Sequence, residues 1–309
     1  MSAVTVLMSV YNGMPHLPPA VDSILNQTFE DFTFLIINDG SKDGSERYLN
    51  QLDDPRIQLV HQLNRGLGAA LNTGLAMCKT EFLARMDADD MSLPTRLEAQ
   101  LSFLRSHSEV GMVGTQFSYF GAEGRRVFSP HMPCGHETIY TDLLHARLSF
   151  VHASLMCRTS VLRQISGYAS KVSDGDWDMF LRAAEVTRLA NLDEVLYLWR
   201  IHSGNISVGH LTELHKELAY GCDGAKRRAK GQPELCFDEF VARQHARPFW
   251  ERAVEAMDHY ALVQYRRALV EILNSNWITG YLRLVWAASF SPRRTLQRIY
   301  RTVRGRKKS

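Results

Sequence analysis

The chain has 309 residues, of which 45% are hydrophobic and 22% charged, the composition of a globular protein with a full core. It contains no apolar stretch of the roughly 18 residues that a membrane-spanning helix needs, and its N-terminus lacks the basic segment of a signal peptide, so we expect neither. The five cysteines are an odd number without CxxC spacing, which argues against a disulfide scaffold or a zinc site and indicates a reducing compartment.

The net charge of +3 is distributed unevenly along the chain. Glu271 is the last acidic residue, and nine basic residues follow it, so residues 1–271 together carry a net charge of −6. The sequence therefore predicts a mildly acidic body and a strongly basic tail.

The first part of the chain alternates apolar runs with amphipathic segments. The apolar runs are predicted strands that end near residues 10, 37, 60 and 86, and helices are predicted between them. Near-continuous apolar strands joined by helices are typical of a parallel sheet. Because ligands bind beyond the carboxyl ends of such strands, the residues that follow each run are candidates for function.

The remainder of the chain is less regular and then becomes helical. Further elements are predicted as helices near 97–104 and 177–184 and as strands at 110–120, 151–158 and 195–199. Residues 121–147 have weak periodicity, and we expect a change of sheet direction there. From Leu211 onward helical patterning dominates, so two domains are predicted, at 1–209 and 210–309.

Three carboxylates follow the fourth predicted strand within four residues, at Asp87, Asp89 and Asp90. Like charges this close repel one another unless a cation lies on them, and Mg²⁺ or Mn²⁺ prefers oxygen ligands. Asp87 and Asp89 share one side of an extended chain. The alternative is an acidic turn in which Asp90 caps the following helix.

Polar and aromatic side chains also follow the first two predicted strands, at Tyr11, Asn12 and Asp39. In an open turn, the Asp39 carboxylate can accept a hydrogen bond from a pyrimidine base, and the Tyr11 ring can stack on that base. The alternatives are that Asp39 caps a helix and that Tyr11 is an amphipathic residue at the rim.

Asn64 and Arg65 open the helix that follows the third predicted strand. Backbone N–H groups and a guanidinium at a helix N-terminus suit a diphosphate. The alternative for Arg65 is a solvated surface arginine.

Six motifs in this order resemble the family 2 glycosyltransferases, which are inverting, metal-dependent enzymes that use nucleotide sugars. The resemblance covers about residues 1–207 and rests on Ser9-Val10-Tyr11-Asn12, Asn38-Asp39-Gly40-Ser41-Lys42-Asp43, Asn64-Arg65-Gly66, Asp87-Ala88-Asp89, Gly175-Asp176-Trp177-Asp178-Met179-Phe180-Leu181-Arg182 and Arg200-Ile201-His202-Ser203. It implies an α/β fold of the GT-A type, the nucleotide-diphospho-sugar transferase fold, with a mostly parallel sheet flanked by helices. The helical patterning adds a C-terminal helical extension.

The resemblance also implies roles for individual residues. Asp39 would bind the nucleotide base, Asp87 would contact the donor ribose or sugar, and Asp89 would ligate the metal as the second Asp of an Asp-x-Asp motif. Asp176 would be the general base that accepts a proton from the acceptor hydroxyl. The family has Glu at the position of Gly175, so Asp174 is an alternative base, and Asp176 is alternatively a helix cap.

Arg200, His202 and Ser203 resemble the distal motif of the family, which closes over the diphosphate and the metal. The resemblance makes Arg200 and Ser203 donor-binding residues and His202 a metal ligand, whereas the alternative for His202 is a structural histidine. His152 occupies a position that recurs in the family near the acceptor side.

The implied reaction is transfer of one sugar, of the hexosyl type, from a nucleotide-diphosphate donor, above all a UDP-sugar. The implied acceptor is a glycan or lipid-linked molecule of cell-surface polysaccharide synthesis, and the cofactor is Mg²⁺ or Mn²⁺. The Gln-x-x-Arg-Trp motif of processive members is absent, which favours single-sugar transfer. The alternatives are a nucleotide-dependent oxidoreductase and a non-catalytic, membrane-associated scaffold.

The basic tail has apolar residues at helical spacing, at Leu296, Ile299, Tyr300 and Val303, and follows an aromatic run at 277–290. This pattern predicts an interfacial helix on an anionic membrane surface, with the protein in the cytoplasm at the inner face of the membrane. The alternative is a helix packed on the body with a solvated basic face. No recognition motif favours a nucleic-acid partner, and we expect none.

Overall fold

The computed structural model describes residues 2–121, 126–128, 130–168, 176–202, 211–273 and 276–292. The chain forms two compact units, the first from residues 1–117 and 132–199 and the second from residues 118–131 and 200–309. The predicted domain boundary between residues 209 and 210 lies outside the described residues and stays a prediction.

The described strands are hydrogen-bonded side by side in the order β3-β2-β1-β4-β8-β6-β9-β5, and β7 pairs with the end of β6. Their bounds are β1 (Val4–Val10), β2 (Phe32–Asn38), β3 (Ile57–His61), β4 (Phe82–Asp87), β5 (Met91–Ser92), β6 (Val110–Phe120), β7 (Arg126–Phe128), β8 (Met156–Arg158) and β9 (Arg188–Arg200).

The helices of the first unit are α1 (Leu17–Leu25), α2 (Ser45–Leu49), α3 (Leu67–Met77), α4 (Arg96–Ser106), α5 (His136–Leu144), α6 (Thr159–Gln164) and α7 (Asp176–Val186). The helices described in the second unit are α8 (Leu211–Arg228), α9 (Phe237–His245), α10 (Phe249–Leu273) and α11 (Trp277–Phe290).

The first four long strands form a parallel core. Strand β1 lies between β2 and β4 and is parallel to both, and β3 is parallel to β2. Every residue of β1 except Ser9 is buried, because a central strand covered on both faces needs apolar side chains in both directions. The predicted parallel α/β sheet is therefore confirmed, and each strand ends within one residue of its predicted end.

The direction of the sheet changes in its second half, as the weak periodicity predicts. Strand β8 is antiparallel to both β4 and β6, and β5 is antiparallel to β9. The strand predicted at 151–158 is wrong in its first part, because His152–Ser154 form a 3₁₀ turn. The Ser154 hydroxyl donates to the Val151 carbonyl at 3.0 Å, and such local bonds compete with a strand ladder.

A buried amide joins helix α4 to the sheet. Gln100 is fully buried, and its Nε2 donates to the carbonyl oxygens of Val113 at 2.9 Å and Ser154 at 2.7 Å. These bonds satisfy two buried carbonyl groups that are distant in the sequence, and they fix α4 against β6 and the turn before β8.

Helices α10 and α11 pack against each other in opposite directions. Arg283 of α11 is paired with Glu271 of α10 at 2.6 Å, and Ser291, directly after α11, donates to Asp258 at 2.6 Å. The helices approach closely at Gly280, where a Cβ atom would lie 2.5 Å from Ile272 Cγ1. The predicted helical extension is confirmed, and within the described ranges we find no helix whose length and hydropathy would let it span a membrane.

The contact between α3 and β1 yields a stability prediction. A Cβ atom at Gly74 would lie 2.8 Å from Leu7 Cδ2, and Leu7 is fully buried. Gly74→Ala should therefore lower the free energy of unfolding by about 1–2 kcal/mol, because overpacking outweighs the gain in helix propensity. Denaturant unfolding of Gly74→Ala, Leu7→Ala and the double variant measures this.

The double variant is the control for this prediction. Leu7→Ala removes the three atoms that a Cβ at position 74 would meet, so the double variant should lose less stability than the sum of the two single variants. Additive losses would show that Gly74 is not fixed by this contact.

Candidate functional site

Three parallel strands end at one edge of the sheet and bring most predicted site residues of the first unit together. In the strand register Val10 lies beside Asn38, and Ser9 lies beside Asp87. The residues that follow β1, β2 and β4 therefore emerge next to one another, as expected for a ligand-binding edge.

The acidic turn, defined as Asp87, Asp89 and Asp90, follows β4 directly. One carboxylate oxygen from each residue lies within 4.8 Å of the other two. Asp90 is buried and accepts a hydrogen bond from the Tyr197 hydroxyl at 2.7 Å. Burial and Asp90 raise the pKa of Tyr197, so this hydroxyl stays protonated and donates.

The alternative in which Asp90 caps the next helix is wrong. Helix α4 begins only at Arg96, after Thr95, and the short strand β5 lies between the acidic turn and this helix. Asp90 instead ties the turn to β9 through Tyr197.

Arg85 compensates the acidic turn from inside the sheet, and the sequence analysis missed it. Its side chain is fully buried, and its guanidinium forms an ion pair with Asp87, whose side chain is partly exposed. Burial acts to lower the pKa of Arg85, but Asp87 and nearby tyrosines raise it overall, so the guanidinium stays charged. The available signal was one arginine inside an otherwise apolar strand, two residues before the first aspartate.

Asp87 experiences opposing effects at this position. Burial raises the pKa of its carboxyl group, Arg85 opposes that effect, Asp89 adds to it, and the net direction is upward. A cation beside Asp87 and Asp89 would stabilise the ionised form of both carboxylates.

A second buried arginine supports the acidic turn from behind. Arg96 Nε donates to Ser92 Oγ at 2.7 Å, and its Nη1 donates to the Arg85 carbonyl oxygen at 3.0 Å. Its guanidinium lies 5.6 Å from the centroid of the Tyr197 ring. Burial lowers the pKa of Arg96 to about 10, so it remains charged at neutral pH and links β4, β5 and α4.

Asp39 lies at the same edge but is only 2% exposed. Its Oδ1 accepts from Gln62 Nε2 at 2.7 Å and from the Arg65 backbone at 3.0 Å, and its Oδ2 accepts from the Gly66 backbone at 2.9 Å. The helix-cap alternative for Asp39 is wrong, because Asp43 accepts from the first backbone N–H of α2. Asp39 therefore holds the loop before α3 through three hydrogen bonds.

The loop at Asn64 and Arg65 is therefore held by Asp39. Both residues are exposed, and the N–H groups of Arg65 and Gly66 point at the Asp39 carboxylate. Gly40 permits this approach, because its φ is +75° and a Cβ there would lie 2.9 Å from Asn64 N. The side chains of Asn64 and Arg65 stay the candidates for a diphosphate.

Asn12 and Tyr11 have different surroundings after β1. Asn12 adopts a φ of 53°, its backbone N–H donates to Ser41 Oγ at 3.0 Å, and its Oδ1 accepts from the Lys42 backbone at 2.8 Å. Asn12 thus fixes two loops of the edge to each other. Tyr11 is 53% exposed at the rim, where its ring is available to a base.

The predicted base Asp176 is the first residue of α7. Tyr168, a buried tyrosine that no sequence motif pointed to, precedes this helix in the chain. Burial raises the pKa of Tyr168, Arg85 opposes this, and Asp176 and Asp87 both add to it.

His152 contacts the Tyr168 hydroxyl. Its Nε2 lies 2.9 Å from the Tyr168 oxygen, and the two rings meet edge to face. Burial, together with Arg85, lowers the pKa of His152 well below its usual value. The imidazole is therefore neutral at physiological pH. Its Nε2 and the Tyr168 hydroxyl form one hydrogen bond, whose donor depends on the tautomer of His152.

The loop that carries Tyr168 is fixed from two sides. Asn72 of α3 exchanges two hydrogen bonds with the Tyr168 backbone, at 2.8 and 2.9 Å. Arg182 of α7 donates to the carbonyl oxygens of Ile165 and Gly167. The spacing of Asp178 and Arg182, four residues apart on α7, is typical of an exposed pair. Instead the two side chains are only 18% and 20% exposed, and Arg182 holds this loop.

Other predicted site residues lie in the second unit or outside the described residues. Arg200 is buried in the second unit, with its guanidinium 4.2 Å from the centroid of the Phe120 ring. His202 is half-buried in the same unit. Ser203, Asp174 and Gly175 lie outside the described residues, so the distal motif and the alternative base stay predictions.

The sequence profile of glycosyl transferase family 2 matches residues 5–166. The chain belongs to this family. This confirms the predicted resemblance to the family, and the first four motifs lie within the matched residues. The chain is therefore a glycosyltransferase.

Two relatives cover much of this chain. EpsE of Bacillus subtilis (strain 168) is 34% identical over 205 residues, which are 63% of this chain and 71% of EpsE. The O-antigen biosynthesis glycosyltransferase WbnJ of Escherichia coli is 33% identical over 209 residues, which are 65% of this chain and 80% of WbnJ.

Solved structures show the same fold. TarS of S. aureus in complex with UDP-GlcNAc superposes with a TM-score of 0.59 at 17% identity, covering 94% of this chain and 91% of that one. The mannosyltransferase PcManGT of Pyrobaculum calidifontis, in complex with GDP-Man and Mn²⁺, superposes with a TM-score of 0.54 at 18% identity, covering 92% and 87%. The predicted GT-A-like fold is confirmed.

The buried ion pair yields a stability prediction. Arg85→Met leaves Asp87 without its compensating charge, so it should lower the free energy of unfolding at neutral pH by about 3 kcal/mol, the low end for a broken buried pair, since Asp87 is partly exposed. Arg85→Met/Asp87→Asn should recover part of that loss. The measurement is denaturant unfolding at neutral pH.

Arg105→Met is the matched control, because Arg105 is an exposed arginine on α4. It should leave stability nearly unchanged. Equal losses for the single Arg85 variant and the double variant would show that the charge of Asp87 does not depend on Arg85.

Proposed function

We propose that this chain is an inverting glycosyltransferase that moves one sugar from a nucleoside diphosphate donor to a hydroxyl group of a glycan or lipid-linked acceptor. The observation that carries the proposal is the polar edge of the parallel core in a chain of glycosyl transferase family 2, where the three carboxylates of the acidic turn converge within 4.8 Å of one another after β4, the strand beside β1. An inverting displacement also needs a base for the acceptor hydroxyl, and Asp176 is the proposed base. The relative WbnJ is an O-antigen biosynthesis glycosyltransferase, which supports a cell-surface polysaccharide as the product.

The proposed donor is a UDP-sugar at the carboxyl edge of the parallel strands. The exposed ring of Tyr11 stacks on the base, and Asp39 accepts a hydrogen bond from the base. Asn64 and Arg65 bind the diphosphate, and Asp87 contacts the ribose or the sugar. The likeness to TarS, whose solved structure contains UDP-GlcNAc, supports the choice of a uridine nucleotide.

The proposed metal is Mg²⁺ or Mn²⁺ at the acidic turn, with Asp89 as ligand. The donor set is chemically suitable, because three carboxylate oxygens converge within 4.8 Å and hard divalent cations prefer oxygen. A bound cation would neutralise the charge that develops on the departing diphosphate. His202 is proposed as a further ligand, and Arg200 and Ser203 as donor-binding residues of the distal motif.

Asp176 removes the proton from the acceptor hydroxyl, and the acceptor oxygen forms a bond to the anomeric carbon. The bond from that carbon to the diphosphate oxygen breaks on the opposite face, so the nucleoside diphosphate leaves with the electron pair. Because the attack and the departure occur on opposite faces, the configuration at the anomeric carbon is inverted. Arg65 offers a positive charge to the leaving diphosphate.

The proposed location is the cytoplasmic face of the membrane, where the chain is peripherally bound. Lipid-linked acceptors are concentrated at that surface, so binding there raises the local acceptor concentration. The basic tail, with no acidic residue after Glu271, supports attraction to an anionic leaflet.

The metal role gives a prediction for Asp89. Asp89→Ala should abolish metal-dependent turnover of the nucleotide sugar and weaken binding of the nucleoside diphosphate, because a cation ligand is lost. Donor hydrolysis in Mg²⁺ and Mn²⁺, together with calorimetric titration of UDP, measures both effects.

Asp53→Ala is the control, because Asp53 is an exposed aspartate distant in sequence from the acidic turn. It should retain full activity. An Asp89→Ala protein that keeps full activity in excess metal would exclude Asp89 as a ligand.

The base role gives a prediction for Asp176. Asp176→Asn is nearly isosteric but cannot accept the proton, so it should still bind the donor and lose about 10²–10⁴-fold in transfer rate. Rates of transfer and donor affinity measured on the same protein separate the two effects.

Glu185→Gln is the matched control, because it neutralises an exposed carboxylate on the same helix α7. Its transfer rate should equal that of the unaltered chain. If Asp174→Asn lowers the rate and Asp176→Asn does not, the base is Asp174.

A further inference from the structure

Exposed apolar side chains are concentrated on the last two described helices. Large hydrophobic residues that are exposed on α10 and α11 are Phe249, Trp250, Val254, Met257, Tyr260, Trp277, Ile278, Tyr281, Leu282, Val285 and Trp286. Six of them lie within the 14 residues of α11. A contiguous apolar surface of this kind usually marks an interaction site.

One side of α11 is already packed against α10. Gly280 and Ala287 are buried, and Arg283, the only charged residue of α11, is paired with Glu271 and Gln264 of α10. At about 3.6 residues per turn, these three positions share one side of the helix.

The opposite side of α11 carries the exposed residues. Ile278, Leu282 and Val285 are 80%, 64% and 70% exposed, and their spacing places them about half a turn away from Gly280 and Ala287. Tyr281 lies at one margin of this side and Trp286 at the other. We call Ile278, Tyr281, Leu282 and Val285 the outer face of α11. No charged side chain belongs to it.

An exposed apolar face of a helix usually marks a contact with another apolar surface. Among the described residues, helix α10 packs against the inner side of α11. The outer face therefore requires a second apolar environment, and its area and the neighbouring charge decide between another protein copy and a membrane.

The area of the outer face is small for a protein interface. The outer face consists of four side chains, whereas each partner of a stable dimer contributes roughly 20–30 residues. The outer face alone is therefore too small to hold a second copy of the chain.

The charge next to the outer face favours an anionic surface. Residues 272–309 contain nine basic residues and no acidic one, and eight of the basic residues follow α11 directly, between Arg293 and Lys308. Phospholipid headgroups with negative charge would attract a segment of this composition.

The aromatic residues of this region fit the same environment. Tyr281 lies on the outer face, and Trp277 and Trp286, both exposed, flank it. The Trp286 indole N–H lies 3.2 Å from the Tyr260 hydroxyl oxygen, so its polar edge is satisfied at the protein surface. Trp and Tyr are enriched where a hydrocarbon layer meets water.

We propose that the outer face of α11 lies in the interface of an anionic phospholipid membrane, with the basic tail supplying the electrostatic attraction. The proposal deepens the membrane location given above, and it rests on that location but not on the sugar chemistry. The helix lies parallel to the surface, because its apolar side is a stripe along its length.

The test uses the full chain and vesicles of phosphatidylcholine with and without phosphatidylglycerol. The double variant Ile278→Gln/Val285→Gln removes two apolar side chains from the outer face without changing the charge. Glutamine is a good helix former, so α11 should be preserved. The matched control is Val186→Gln/Val195→Gln, because both valines are exposed in the first unit. Circular dichroism and thermal unfolding check that each protein is folded.

The unaltered chain and the control should bind the anionic vesicles in low salt. High salt should weaken this binding, because salt screens the charges of the tail. The outer-face variant should bind about 100-fold more weakly, because each large apolar side chain withdrawn from water contributes about a tenfold factor. Brominated phospholipids should quench tryptophan fluorescence in the unaltered chain and not in the outer-face variant.

Three results would overturn the proposal. The outer-face variant binds as tightly as the unaltered chain, which would make the tail alone responsible. The unaltered chain fails to bind anionic vesicles in low salt. The chain forms a dimer that the outer-face variant dissociates, which would make α11 a self-association surface.

A separate readout distinguishes this proposal from the proposed reaction. Metal-dependent hydrolysis of a nucleotide sugar, measured without vesicles, should be the same for the unaltered chain and the outer-face variant. If neither protein hydrolyses the nucleotide sugar but the unaltered chain binds anionic vesicles, the proposed reaction is rejected and the proposed membrane contact is retained.

Discussion

The buried ion pair between Arg85 and Asp87 is the interaction on which the rest of the site depends. Strand β4 ends in three carboxylates whose mutual repulsion would oppose folding. The chain places a guanidinium beneath them, in a strand that is otherwise apolar. A buried guanidinium is itself unfavourable without a partner. Arg85 and Asp87 therefore stabilise each other in the folded chain. Arg85 also influences two other buried side chains, because its charge acts to lower the pKa of both Tyr168 and His152.

At the same edge of the sheet, polar side chains fix the loops that carry the proposed donor-binding residues. Asp39 accepts three hydrogen bonds from the loop before α3, and Asn12 bonds the loop after β2. Asp90 is bonded to Tyr197. These contacts hold the loops in place without a ligand. Preorganised groups of this kind stabilise developing charge without the cost of reorienting.

The sequence predicts most of the fold because its parallel core is written in local patterns. Each strand of that core is a continuous apolar run followed by a polar turn, so its end can be located without knowing its neighbours. The role of Arg85 could not be predicted in this way. The sequence shows one arginine in an apolar run, but not that its side chain is buried and paired with Asp87. The role of Tyr168 could not be predicted either, because its bond to His152 and its anchor Asn72 are distant in the chain. Asp178 and Arg182 have the spacing of a surface pair, and only the loop at 165–168 packed over them shows otherwise. Long-range packing therefore decides what local spacing leaves open.

The division of the chain into two units separates the parts of the proposed mechanism. Asp39, the acidic turn, Tyr168 and Asp176 all belong to the first unit, whereas Arg200, His202 and α11 belong to the second. Arg200, His202 and the outer face of α11 therefore belong to the same compact unit. Substitutions on the outer face fall in a different unit from the strands and loops that hold Asp39, Asp87 and Asp176. The proposed membrane contact and the proposed donor chemistry can therefore be altered separately.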